Sequence, residues 1–305
     1  MLDSELEDGR RNRADQAKFR RTARRRVGRL GDASKAAYNR DDEASSGTRL
    51  LECVLLAVIA ADPTALPARR PRHPTWRYSS VFRTKICGVT TADDARVVAA
   101  AGADAVGVNF YPRSRRYVTL AQAEKILAAL PDEVVRVGLF VDATDDEISA
   151  AYDHLQLDLV QLHGSEPPEF IATLGERPVM KAFRLGPAGV APIADYLDAC
   201  RALGRLPDLI LIDADVPGQL GGTGETADWN RLADERALLG SLPLVLAGGL
   251  TPQNVAEAIE RVRPSGVDTA SGVESDCPRK DGPRVRQFVA ASRAALTGLS
   301  GGEPL

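Results

Sequence analysis

Residues 83–110 read RTKICGVTTADDARVVAAAGADAVGVNF. A short apolar run, Arg83 to Cys87, is followed by a helical pattern from 91 to 101 and then by a second apolar run, Ala105 to Phe110. Strand, helix and strand in this order read as a β/α/β unit, because two parallel strands need a crossover about as long as a helix. Side chains alternate along a strand, so Lys85 and Cys87 fall on the same side of the first one.

The same unit recurs along the chain. Strands are expected at Arg83 to Cys87, Ala105 to Phe110, Val134 to Val141, Leu159 to His163, Val179 to Arg184, Leu209 to Asp213, Leu244 to Ala247 and Val267 to Thr269. Helical patterns lie between them, at 91–101, 119–129, 145–154, 167–175, 190–203, 228–239 and 252–262, and a last one follows at 282–295. Eight repeats in about 215 residues predict an α/β fold, a closed (β/α)8 TIM barrel. An open doubly wound sheet is the alternative. It is disfavoured because the first turn, Cys87-Gly88-Val89-Thr90, has one glycine where a dinucleotide fingerprint needs three.

Charge divides the 305 residues unevenly. The whole chain holds 39 Lys+Arg and 42 Asp+Glu, yet residues 1–80 hold 17 basic and 11 acidic residues, leaving 22 and 31 for the rest. Residues 1–80 therefore read as a basic, poorly structured extension or an over-extended gene start, residues 81–297 as the catalytic barrel, and 298–305 as a C-terminal tail. The arginine-rich stretch 10–29 lacks the regular apolar face of a docked helix, so no nucleic-acid partner is assigned. The apolar run 50–61 is too short for a membrane span and too far from the start for a signal peptide, so no membrane partner is assigned either. Cys53, Cys87, Cys200 and Cys277 show no CxxC spacing, which fits a reducing cytoplasm and indicates neither a dense disulfide scaffold nor a structural zinc module. His73, His154 and His163 lack metal-ligand spacing, so no metal is expected.

In a barrel of this kind chemistry sits at the C-terminal ends of the strands. Those positions hold Cys87, Asn109, His163, Arg184, Asp213, the pair Gly248-Gly249, and the run Asp268 to Gly272. If the alternation turns Cys87 and Asp213 to the axis, a thiol near Lys85 suits a proton acceptor and a shielded carboxyl suits a donor. Glycines at 221–224, 248–249 and 271–272 follow the last three strands, where backbone N–H groups commonly cradle a phosphate. Of Arg113, Arg115 and Arg116 after the second strand, one is expected to turn inward towards a carboxylate, and the sequence alone does not choose which. His163, beside Gln161 on one strand, suits either a substrate hydroxyl or a core hydrogen bond. A different sugar-phosphate barrel enzyme, an epimerase or a lyase, would share the phosphate rim.

The segments KICGVT (85–90), GADAVG (102–107), YPRSRRY (111–117), QLHG (161–164), LID (211–213), GGTG (221–224) and VDTASGVE (267–274) together resemble the phosphoribosylanthranilate isomerase family over residues 82–295. The resemblance implies an Amadori rearrangement in tryptophan synthesis, from N-(5-phosphoribosyl)anthranilate to 1-(2-carboxyphenylamino)-1-deoxyribulose 5-phosphate. It implies Asp213 as general acid at the furanose ring oxygen and Cys87 as general base at C2. Arg116 would meet the anthranilate carboxylate, His163 and Asp268 the sugar, and Gly222, Gly249, Ser271 and Gly272 the phosphate. No cofactor is implied, and the enzyme is expected as a monomer or homodimer acting on a small phosphorylated molecule. Two positions depart from the family pattern: Ala270 where a second serine is common, and Asn109 where an apolar residue is more usual.

Overall fold

The computed structural model describes residues 82–214, 229–275 and 278–300. The expectations placed on residues 1–80, on the glycine stretch 221–224 with Gly222, and on Cys277 lie outside the described residues. Eight parallel strands close into one barrel in sequence order: β1 (Thr84–Ile86), β2 (Ala105–Asn109), β3 (Val135–Phe140), β4 (Leu159–Leu162), β5 (Val179–Arg184), β6 (Leu209–Asp213), β7 (Leu244–Ala247) and β8 (Gly266–Thr269). Pairing of β1 with β8 completes the ring and excludes the open sheet. The helices are α1 (Ala92–Ala100), α2 (Leu120–Ala128), α3 (Asp145–Leu155), α4 (Pro168–Thr173), α5 (Ala191–Ala202), α6 (Trp229–Glu235), α7 (Val255–Val262) and α8 (Gly282–Ser300). The last of these runs five residues past its expected end at 295, with Leu296 buried on it.

Local chemistry explains where the helices begin. Thr91 accepts from the Asp94 N–H ahead of α1, and capping boxes Thr119–Gln122 and Thr144–Glu147 open α2 and α3. Such caps satisfy N–H groups that the first helical turn leaves without partners, each contributing about 1 kcal/mol.

Alternation along the strands divides the core in two. Ala105, Val137, Leu159, Met180, Ala182, Leu209, Leu211, Val245 and Ala247 fill the barrel interior, with Phe82 beneath them. Their outward neighbours, among them Ile86, Val106, Val108, Val160, Ile210, Ile212 and Leu246, pack under the helices.

The N-terminal end of the barrel carries a repeated clamp. Asp104, Asp158 and Asp208 each stand one residue before an even-numbered strand. Their carboxylates accept from Thr84 N (2.8 Å), Arg136 N (2.8 Å) and Val179 N (2.9 Å) on the preceding odd-numbered strand. Their own N–H groups return bonds to the carbonyls of the same three residues. At the fourth pair Ser265 N reaches Leu244 O, keeping the backbone half. These bonds satisfy strand-end amides and fix register at the face away from the strand ends that carry chemistry.

Candidate active site

Two expected strand-end side chains, Cys87 and His163, sit one position past the strand proper. Cys87 still donates its N–H to Thr269 O (2.8 Å), and His163 donates to Phe140 O (2.8 Å), so both side chains are held by the continuing ladder. The alternation that fills the interior with Ala105, Leu159 and Leu209 lower down turns Lys85 and Cys87, Gln161 and His163, Asp213 and Asp268 inward towards the mouth.

Lys85 and Asp268 are paired across β1 and β8, and Lys85 Nζ donates to Asp268 Oδ2 at 3.0 Å with both side chains buried. Burial alone would lower the Lys85 ammonium. The Asp268 carboxylate and the neighbouring Cys87 sulfur outweigh it and raise Lys85 above its ordinary value, so a cation lies against the thiol. Burial pushes the Asp268 carboxyl upward against the pull of Lys85. Room for this cluster comes from β2. A Cβ on Gly107 would stand 2.9 Å from Cys87 Sγ and 3.2 Å from Lys85 Nζ, so a larger residue there would displace both groups.

Across the mouth, Asp213 ends β6, three strands round the ring from β1, and is half-buried. It acts on His163, whose imidazole is pushed below its ordinary value by burial while Asp213 and Asp268 pull it upward. His163 Nδ1 lies 3.3 Å from Gln161 Nε2. With the amide donating, Nδ1 accepts and the proton of the neutral ring sits on Nε2. Gln161 Oε1 and Asp268 Oδ1 are buried acceptors without a hydrogen-bond partner among the described residues. Acceptors in that state within a polar mouth suit the hydroxyls of a ligand.

The loop after β2 resolves the choice among its arginines. Arg113 and Arg115 are exposed, whereas the Arg116 stem lies on Gly88, where an added Cβ would meet Arg116 Cδ at 2.2 Å. Gly88 also adopts a φ of 68°, so it is needed twice over, for its backbone and for the space. Asn109 shapes this loop: its Oδ1 accepts from Tyr111 N (2.8 Å), its Nδ2 reaches Ser114 Oγ (3.1 Å), and that oxygen accepts from Arg116 N (3.1 Å). Arg116 is forked onto Glu274, Nε to Oε1 at 2.7 Å and Nη2 to Oε2 at 2.8 Å. Lys280 reaches the same carboxylate at 2.7 Å and donates to Ala270 O at 3.0 Å. Sequence reasoning missed Gly107, Glu274 and Lys280 as site residues. Glu274 was visible only as the last letter of a motif.

The rim after β7 and β8 is built for close backbone approach. Gly248 and Gly249 adopt positive φ, and Asn254 ties the loop by donating to Gly249 O (3.0 Å). Ser271 and Gly272 begin a short 3₁₀ turn, Ser271–Val273. Gly272 packs so tightly that a Cβ would stand 1.9 Å from Leu250 O, a carbonyl that also accepts from Thr269 Oγ1 (2.7 Å). The structure thus brings Gly249, Ser271 and Gly272 to one rim, close in the ring to Cys87 and Asp268. Among the described residues no cluster of three or more His, Cys, Asp or Glu side chains is arranged to hold a metal, and no helix is long and apolar enough to cross a membrane.

Residues 84–291 match the family model described as N-(5'-phosphoribosyl)anthranilate (PRA) isomerase. The isomerase of that name from Azotobacter vinelandii is 48% identical over 216 residues, covering 71% of this chain and all of the relative. The one from Geobacter sulfurreducens is 46% identical over 210 residues, covering 68% of this chain and 97% of the relative. Among solved structures, the phosphoribosylanthranilate isomerase of Thermotoga maritima superposes with a TM-score of 0.62 at 38% identity, covering 70% of this chain and all of its own. A structure of the same enzyme type in complex with reduced 1-(o-carboxyphenylamino)-1-deoxyribulose 5-phosphate superposes with a TM-score of 0.60 at 36% identity, with the same coverage.

Proposed function

The chain belongs to the N-(5'-phosphoribosyl)anthranilate isomerase family and isomerises that compound in tryptophan biosynthesis, and from this premise we propose how its residues divide the work. Asp213 donates a proton to the furanose ring oxygen. The C1–oxygen bond breaks as the anilino nitrogen's lone pair forms the C1=N bond, giving an iminium. Cys87, with Lys85 beside its sulfur, takes the proton from C2, whose acidity the iminium raises. The electron pair left on C2 forms the C1=C2 bond and neutralises the nitrogen. Tautomerisation of the resulting enolamine places the carbonyl at C2. Every step is a proton transfer or the opening of the ring, so the chain's own acid and base suffice.

One observation carries this reading: the Arg116 stem packs on Gly88, the residue after Cys87. A guanidinium there holds an aryl carboxylate beside the thiol, so the amino-linked C1 and C2 of the sugar reach Cys87 from one side and Asp213 from the other. The acceptors Asp268 Oδ1 and Gln161 Oε1 and the imidazole of His163 face the same mouth and suit the sugar hydroxyls. Gly249, Ser271 and Gly272 receive the phosphate through backbone N–H groups, and Gly222 belongs to the same proposal from sequence alone. Cytoplasmic location is also part of it, supported by Cys87 and Cys200 standing as free thiols. So is a monomeric or homodimeric state, supported by a solved relative described as a monomer generated from a dimeric enzyme.

The test is turnover of N-(5'-phosphoribosyl)anthranilate by purified Cys87→Ala and Asp213→Ala. Each is expected to lose about 10²- to 10⁴-fold in kcat with an unchanged circular dichroism spectrum. Turnover near the parent rate in either variant overturns the role assigned to that residue.

A further inference from the structure

Arg116 poses a problem of charge. Its guanidinium is engaged through Nε and Nη2 by Glu274, whose side chain is 4% exposed. An arginine forked onto a carboxylate is a neutral pair, and a second carboxylate approaching it meets the repulsion of the first at short range. Lys280 alters the count. Its side chain is fully buried, and its Nζ stands 2.7 Å from Glu274 Oε1 and 3.0 Å from Ala270 O. Two cations on one carboxylate leave the trio with a net charge of +1.

We propose that Arg116, Glu274 and Lys280 form a preassembled receptor for the substrate's aryl carboxylate, in which Glu274 fixes the plane of the guanidinium and Lys280 supplies the net positive charge. Lys280 is thereby a specificity-determining residue, although it acts through its partners. The inference rests on the reading that Arg116 meets the carboxylate. Three further observations agree with it. Arg116 and Lys280 hold the Glu274 carboxyl below its ordinary value in spite of burial, so the negative centre of the trio persists at neutral pH. Burial lowers the Lys280 ammonium below its ordinary value, while Glu274 and then Cys87 pull it upward, so its charge leans on Glu274 and the trio lies near the proposed base. Glu274 and Lys280 form an isolated antiparallel bridge, and Asp281 N donates to Val273 O, so the backbone holding the two charges is itself paired.

The experiment measures the affinity of two ligands by calorimetry. One is reduced 1-(o-carboxyphenylamino)-1-deoxyribulose 5-phosphate, and the other is the same molecule without its ring carboxylate. In the full-length parent the first binds more tightly, and the ratio of the two affinities reports the receptor. Lys280→Met is expected to lower that ratio by about tenfold or more, with the carboxylate-free ligand unaffected. Lys280→Met combined with Glu274→Gln restores the net +1 and is expected to recover most of the ratio; it also serves where the single variant fails to fold. Equal weakening of both ligands by Lys280→Met, or a ratio that stays low in a folded double variant, overturns the proposal. Arg116→Met separates the two levels. An unchanged ratio there overturns the underlying role of Arg116, while a lowered ratio there with an unchanged one in Lys280→Met overturns the charge receptor alone.

Discussion

Lys85 Nζ and Asp268 Oδ2 meet at 3.0 Å between residues paired across the seam that closes the barrel. The chain separates them by 183 positions, yet neither has solvent to fall back on, so each is the other's principal charge partner. Lys85→Met leaves a buried carboxylate without its cation and is expected to destabilise the fold by about 3–5 kcal/mol. Adding Asp268→Leu removes the stranded charge and is expected to recover most of that loss, while turnover stays low because the cation beside Cys87 is gone. Denaturant melts together with kcat values check both halves.

Gly107 marks the space in which Cys87 and Lys85 lie. Gly107→Ala brings a methyl within 2.9 Å of the sulfur and 3.2 Å of the ammonium, and both are side-chain ends able to shift by tenths of an ångström. The fold is expected to survive. A small displacement of the base is nonetheless felt in the chemistry, and kcat is expected to fall about 10- to 100-fold with little change in melting temperature.

His163 reports the field of the mouth. Burial holds its imidazole below 6.5, its ordinary value, so the neutral ring contributes stability that is complete above that pH and is lost as the pH falls through the depressed folded value. Asp213 pulls the imidazole upward, whereas Lys85 pushes it down. Asp213→Asn is therefore expected to move its titration to lower pH and Lys85→Met to move it higher. An NMR titration of the ring protons reads both directions, and a shift of the opposite sign in either variant contradicts the geometry.

Asn109 has a role that its departure from the family pattern did not reveal. Its side chain bonds Tyr111 N and Ser114 Oγ, and Ser114 Oγ in turn bonds Arg116 N. Asn109→Leu is expected to loosen the Arg116 loop and raise KM about two- to tenfold, with kcat changed far less. Steady-state kinetics separates the two parameters.

The eight-unit rhythm was legible because strands and helices each impose a local period on apolar residues, and the run Arg83 to Phe110 already carries both periods. Strand ends were legible to within about one residue, with Cys87 and His163 each one position past its strand. The same alternation marked Cys87 and Asp213 as facing one axis. The motifs from KICGVT to VDTASGVE, and not the alternation, carried the resemblance that the family match then showed.

Partnership between charges follows no local period. The bond from Arg116 to Glu274 spans 158 positions, and that from Lys85 to Asp268 spans 183. Both exist because closing the ring pairs β1 with β8 and lets the loop after β2 reach the turn beyond β8. YPRSRRY offers three arginines of equal chemistry; local pattern does not choose among them, the resemblance implied Arg116, and the packing of its stem on Gly88 is what turns it inward. By itself the sequence determined the number and order of the β/α units and the residue types at their ends, because those obey short-range periodicity. Tertiary structure alone decided which charges meet in the mouth and with what net sign, because that depends on which distant strands the closed barrel makes neighbours and on how little water remains between them.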